Sequence, residues 1–80
     1  MKINKFHDTR HAKERSQERN ISMDLLKDVV KYHERKTQQY RGQHGGFVYK
    51  FVKSVSGKTI AAVAETKKDE CWLISGFEIP

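Results

Sequence analysis

Phe47–Val48–Tyr49–Lys50–Phe51–Val52–Lys53 is the stretch whose reading decides the fold. Its side chains alternate with period two. Phe47, Tyr49 and Phe51 fall on one face of an extended strand, and Val48, Lys50 and Val52 on the other. A strand with bulky side chains on both faces belongs inside a sheet, so its neighbours in the chain are read as strands and tested for turns between them.

The turns are present. Gly42–Gln43–His44–Gly45–Gly46 is a loop that follows a short polar strand, Thr37–Gln38–Gln39–Tyr40–Arg41. Ser56–Gly57 is a tight turn into a third strand, Lys58–Glu65, whose small residues let a helix or a ligand come close to the sheet. Lys67–Glu70 is a turn into the last strand, Cys71–Ile79. Such short connections predict an antiparallel meander, because parallel pairing needs a long crossover.

Before Lys36 the apolar period is helical. Ser22 is read as the N-cap of a helix that carries Leu25, Leu26, Val29, Val30 and His33 on one stripe. Asp24 suits the positive end of its dipole, and Ile21 with Leu26 fits a hydrophobic staple. Lys31, His33, Arg35 and Lys36 are placed near its C-terminal end, where cations are favoured. The preceding helix is almost entirely polar. It starts after Asp8 or Thr9, runs to about Arg19 and stops at Asn20, with Ala12 and Ser16 as its small face. The expected fold is α+β: two N-terminal helices packed on one face of a four-stranded antiparallel meander sheet, in a single domain over residues 1–80.

The formal net charge is +6, from 16 basic and 10 acidic residues. Such an excess on so small a domain suggests a polyanion partner, nucleic acid or an acidic protein. Cys71 is the single cysteine, so no intramolecular disulfide is expected. No apolar run approaches the roughly 20 residues that span a bilayer. The first residues lack the apolar core of a secretory signal. A cytoplasmic site of action follows, with delivery as the C-terminal part of a secreted effector left open.

A polar helix in so short a chain needs a reason to exist. His11 and Arg15 lie one turn apart on it. An imidazole exchanges protons near neutral pH, and a guanidinium holds a phosphate bidentately. Cleavage of RNA through its own 2′-hydroxyl needs those two functions and no metal. Lys50 is a further candidate for neutralising phosphate, and Ser75, a hydroxyl in an apolar strand, for positioning it. Arg19 and Lys53 are candidate RNA contacts. Tyr40, Tyr49 and Trp72 either stack on bases or serve the core. Glu14 and Glu18 either orient His11 or simply pair with their helical neighbours. No metal site is expected: His7 and His11 are four apart, but no third ligand accompanies them.

With these residues laid out, the chain resembles short bacterial domains related to the RelE and BrnT toxins. The match rests on His11–Ala12, Arg15 and Arg19–Asn20–Ile21–Ser22, then on an apolar last strand with Ser75 two positions before Phe77. The resemblance implies a compact ribonuclease-type fold of the barnase, EndoU, colicin nuclease and RelE group. It also implies neutralisation by an antitoxin or immunity protein, and carries over His11, Arg15 and Ser75. Phe77 stands where the pattern often has tyrosine. The expected function is a metal-independent endoribonuclease, without cofactor, that cleaves tRNA or mRNA and is held by an acidic antitoxin or immunity protein. The alternative is a non-catalytic basic module that binds RNA or protein.

Overall fold

A computed structural model describes residues 2–80. The elements in chain order are β1 (Lys5–Asp8), α1 (Arg10–Glu18), α2 (Met23–Lys31), β2 (Arg35–Arg41), β3 (Phe47–Val55), β4 (Lys58–Lys67) and β5 (Glu70–Ile79). They form one five-stranded sheet in the order β1-β5-β4-β3-β2.

The expected four-stranded antiparallel sheet is therefore overturned. β2 to β5 do form an antiparallel meander, but β1 pairs in parallel with the first half of β5, from Lys5 opposite Glu70 to Asp8 opposite Leu73. The sheet is mixed, in a strand-rich α+β domain. The rest of the chain is the long crossover that a parallel pair requires. β1 has three polar residues around a single apolar one, Phe6, too short a run to show alternation, so nothing local marks it as a strand.

The helix caps follow local chemistry. The Thr9 side chain accepts a hydrogen bond from the Ala12 N–H, and the Ser22 side chain accepts one from Leu25. α2 ends at Lys31, so Arg35 and Lys36 belong to β2 and not to a helix end. At the β3–β4 turn Ser56 and Gly57 both have positive φ, 52° and 79°, as a two-residue hairpin with matching twist requires.

Both helices lie on one face of the sheet. Leu26, Val29 and Val30 are fully buried against Phe51, Ile60, Ala62, Ala64, Cys71 and Leu73. Each such aliphatic side chain contributes roughly 2 kcal/mol by burial, whereas the Arg10–Glu14 and Arg15–Glu18 pairs on α1 contribute a few tenths each. α2 is thus the element that anchors the helical layer. It approaches β5 closely because Gly76 has no side chain: a Cβ there would collide with Leu26. α1 buries only Ala12 and Ser16 and packs along β5.

Candidate functional site

The face away from the helices is where the chemistry collects. Strand registers set two rows of side chains across it. In the first, Tyr40 on β2 is opposite Val48 on β3, Val48 opposite Glu65 on β4, Glu65 opposite Trp72 on β5, and Trp72 opposite His7 on β1. Thr37, Lys50, Val63 and Ser75 make the second row, two residues along from the first on β3 and β4 and three, across a bulge, on β2 and β5. Side chains two apart on a strand share a face, so both rows lie on the same surface.

Glu65 is the centre of the first row. Its side chain has relative exposure of 2%, yet it carries a carboxylate. The 42–46 loop folds over it and satisfies it. Gly46 N–H donates to Glu65 Oε2 at 2.8 Å, His44 N–H donates to the same oxygen at 2.9 Å, and the His44 ring Nδ1 lies 3.0 Å from Oε1. Gly42 must be glycine for this packing, since a Cβ there would collide with the carboxylate; Gly45 supplies a positive φ of 84°. Burial alone pushes the Glu65 carboxyl up. Hydrogen bonds from Gly46, the His44 ring and the His44 N–H, with the attraction of His44 added, outweigh burial and hold it below its ordinary 4.5. Glu65 is therefore ionised at neutral pH. A carboxylate only accepts, so Nδ1 of His44 carries a proton and its Nε2 is the basic nitrogen of the neutral ring.

Trp72 stands between two imidazoles. His7 stacks on it from the β1 side, with centroids 4.8 Å apart, and His44 from the β4 side, at 4.4 Å; both are within 6° of parallel. His7 Nε2 lies 2.9 Å from Glu70 Oε1. Each histidine thus has its own carboxylate partner. Beside them is a cavity of about 410 Å³ lined by Thr9, Tyr40, Arg41, His44, Glu65 and Trp72 among others. The arrangement offers an oriented, part-exposed proton acceptor at the wall of a cavity of mixed polar and apolar lining.

The residues singled out from sequence are placed as follows. Lys50 and Ser75 share the second row, and Trp72 is in the first. Arg19 reaches the same region: its Nη1 donates to Ser75 Oγ at 3.0 Å and to the Gly76 carbonyl at 2.8 Å. It can do so because β1 pairs only with residues 70–73 of β5 and leaves the rest of that edge to α1. His11 is exposed, and its side chain makes no hydrogen bond or ion pair among the described residues. Arg15 pairs with Glu18 at 3.6 Å. Among the described residues neither makes a hydrogen bond or ion pair with Lys50 or Ser75. Tyr49 and Lys53 lie on the opposite face. Tyr49 packs against Phe51 beneath Lys36, and Lys53 donates to Asp28 of α2 at 2.7 Å. Among the described residues no three metal-binding side chains converge. No helix is long and apolar enough to cross a membrane.

Sequence reasoning passed over His44 and Glu65, and weighed His7 only as a metal ligand. His44 sits in a loop whose glycines look like mere turn formers, and His7 precedes the helix in a strand with no local signature. A signal was present for Glu65, the one charge that continues the alternation of a run from Ile60 to Ala64. A carboxylate there needs donors, and the exposed N–H groups of a Gly-rich loop supply them.

Comparison with curated proteins and with solved structures returns no match. The family comparison does, over residues 9–76, which takes in α1 and the whole meander except the end of β5. The chain belongs to the family described as Domain of unknown function (DUF4258).

Proposed function

We propose that the chain is a metal-independent endoribonuclease that uses His44 for proton transfer. The observation that carries this reading is the hydrogen bond between His44 and the buried, ionised Glu65 at the wall of the cavity. Glu65 fixes the ring and stabilises the imidazolium that forms when Nε2 takes a proton. In the reaction Nε2 accepts the proton of an RNA 2′-hydroxyl, and that oxygen bonds to the adjacent phosphorus. The bond from phosphorus to the 5′-oxygen breaks, and the leaving oxygen takes a proton from the imidazolium or from water. The products are a 2′,3′-cyclic phosphate and a 5′-hydroxyl. Tyr40, on the cavity wall, supplies a hydroxyl to the phosphate.

The net charge of +6 suits a polyanionic substrate. Among the described residues the strands present two carboxylates on the open face, Glu65 and Glu70, and each is held by a histidine. The likeness of the His11–Ser22 stretch to RelE and BrnT toxin domains supports a toxin that acts on tRNA or mRNA in the cytoplasm and is neutralised by an acidic partner. His11 and Arg15 then take no part in the proton transfer.

The test is incubation with total RNA in EDTA. Wild type is expected to cleave, His11→Ala to retain activity, and His44→Ala to lose it. Intact RNA at high protein concentration sinks the ribonuclease reading. Full activity in His44→Ala with loss in His11→Ala moves the proton transfer back to α1. The second reading, a non-catalytic RNA-binding module, draws on β2, an edge strand whose residues are all exposed and which carries Arg35, Lys36 and Arg41. Salt-dependent binding without cleavage would favour it.

A further inference from the structure

The second row is built like a site of its own. Lys50 is half-buried on the open face, and among the described residues no hydrogen bond, ion pair or ring contact holds its ammonium. Across Val63 on that face is Ser75. Ser75 Oγ accepts from Arg19, which leaves its own hydroxyl proton to donate outward. The Arg19 guanidinium is steadied by Ser75 and by the Gly76 carbonyl, and keeps further N–H groups for a ligand. Lys50 and Ser75 are two strands apart, about 10 Å between backbones, a gap that a lysine side chain and one tetrahedral anion together close.

We infer that Lys50, Ser75 and Arg19 form a phosphate subsite for the nucleotide next to the one cleaved, so that the protein acts on single-stranded RNA of three nucleotides or more. The inference rests on the ribonuclease reading for its substrate. On β3 and β4 the two rows are two residues apart, about 6.7 Å, which is the step of one nucleotide in an extended strand; on β2 and β5 a bulge takes up the third residue. Both ring faces of Trp72 are covered by His7 and His44, so the indole is not free to grip a base. Substrate is held by its phosphates instead. A duplex cannot lay one strand's phosphates along a sheet in this way while its bases remain paired, so single strands are preferred.

The probe is a fluorescein-labelled, all-2′-O-methyl pentanucleotide, which cannot be cleaved, compared with the matching dinucleotide that has a single phosphate. Lys50→Ala and Ser75→Ala are expected to weaken pentanucleotide binding by about tenfold, and Lys50→Ala to reduce the slope of log K against log salt by about one phosphate. Dinucleotide binding is expected to stay unchanged, and Lys50→Arg to restore the pentanucleotide. Equal losses for the two lengths, or no loss for either, overturn the subsite. Thermal melts of each variant separate misfolding from lost binding, and a misfolded Lys50→Ala is replaced by Lys50→Gln. Wild type that binds the pentanucleotide in this length-dependent way but leaves RNA intact overturns the ribonuclease reading alone.

Discussion

His44 Nδ1 lies 3.0 Å from Glu65 Oε1, and the same carboxylate accepts the backbone N–H groups of His44 and Gly46. One buried charge therefore fixes both the conformation of a five-residue loop and the tautomer of the ring that the loop carries. Structure and proposed chemistry share a single group. Substitutions at 44 and at 65 should consequently differ in kind.

His44→Ala removes the proton acceptor but leaves the backbone donors to Glu65 in place. We expect RNA cleavage to fall by about 10²- to 10⁴-fold, the usual contribution of a positioned acid–base group. The change in thermal midpoint should be small by comparison. A gel-based cleavage assay alongside a melting curve checks both. Loss of activity in step with loss of folded protein would contradict the assignment.

Glu65→Gln keeps the shape and removes the charge. Its amide group presents hydrogens to N–H groups that already need an acceptor, so at least one buried donor is left unmet. That costs about 2 kcal/mol. The loop should loosen, and activity should fall with it. Denaturant unfolding followed by Trp72 fluorescence measures the first effect directly, since the indole stacks on His44.

How much of this was legible before the fold was seen depends on the range of the forces involved. Ser22, Thr9, the Ser56–Gly57 turn and the Phe47–Lys53 alternation are local, and their chemistry acts on the nearest few residues. Leu26, Val29 and Val30 could be assigned to the core from their spacing alone. β1 could not, because Lys5–Asp8 becomes a strand only through Glu70–Leu73, more than sixty residues away. The same holds for the site. His7, His44, Glu65 and Trp72 come from four separate parts of the chain, and only register brings them together. Alternation does place Lys50 and Val48 on one face from sequence. It does not say that Ser75 shares that face, since a bulge between Val63 and Ala64 shifts the β4–β5 register.

Cys71 tests the core independently of function. Its side chain is fully buried, and burial pushes the thiol up to about 12. A thiolate is the reactive form, so both access and ionisation protect it. Native protein at pH 8 should not react with a disulfide reagent over minutes, and guanidinium should expose one thiol per chain. Rapid labelling of native protein would mean that the β1–β5 region opens readily.

Two glycines separate the core from the site. Gly76→Ala drives a methyl group into Leu26, and Gly42→Ala drives one into the Glu65 carboxylate. Overpacking of this kind costs about 1–3 kcal/mol. Gly76→Ala should lower the thermal midpoint while surviving folded protein keeps its cleavage rate per molecule. Gly42→Ala should lower that rate as well, because the displaced carboxylate is the one that orients His44. Equal specific activities for the two variants would detach the loop from the chemistry.

The lowered pKa of Glu65 also makes a signed statement about stability. The folded chain holds the Glu65 proton more weakly than the unfolded chain, whose carboxyl titrates near its ordinary 4.5. Protonation therefore favours the unfolded state. The contribution of this group is complete above the ordinary value, and is lost as pH falls from there through the lowered folded value. Above that range Glu65 gives no pH dependence. Unfolding free energies of wild type and Glu65→Gln, measured between pH 7 and pH 3, should be separated by a constant gap at the upper end that narrows on acidification, because glutamine has no proton to take up. A gap that widens toward acid would mean that Glu65 holds its proton more tightly when folded, and with that the ionised partner of His44 would be gone.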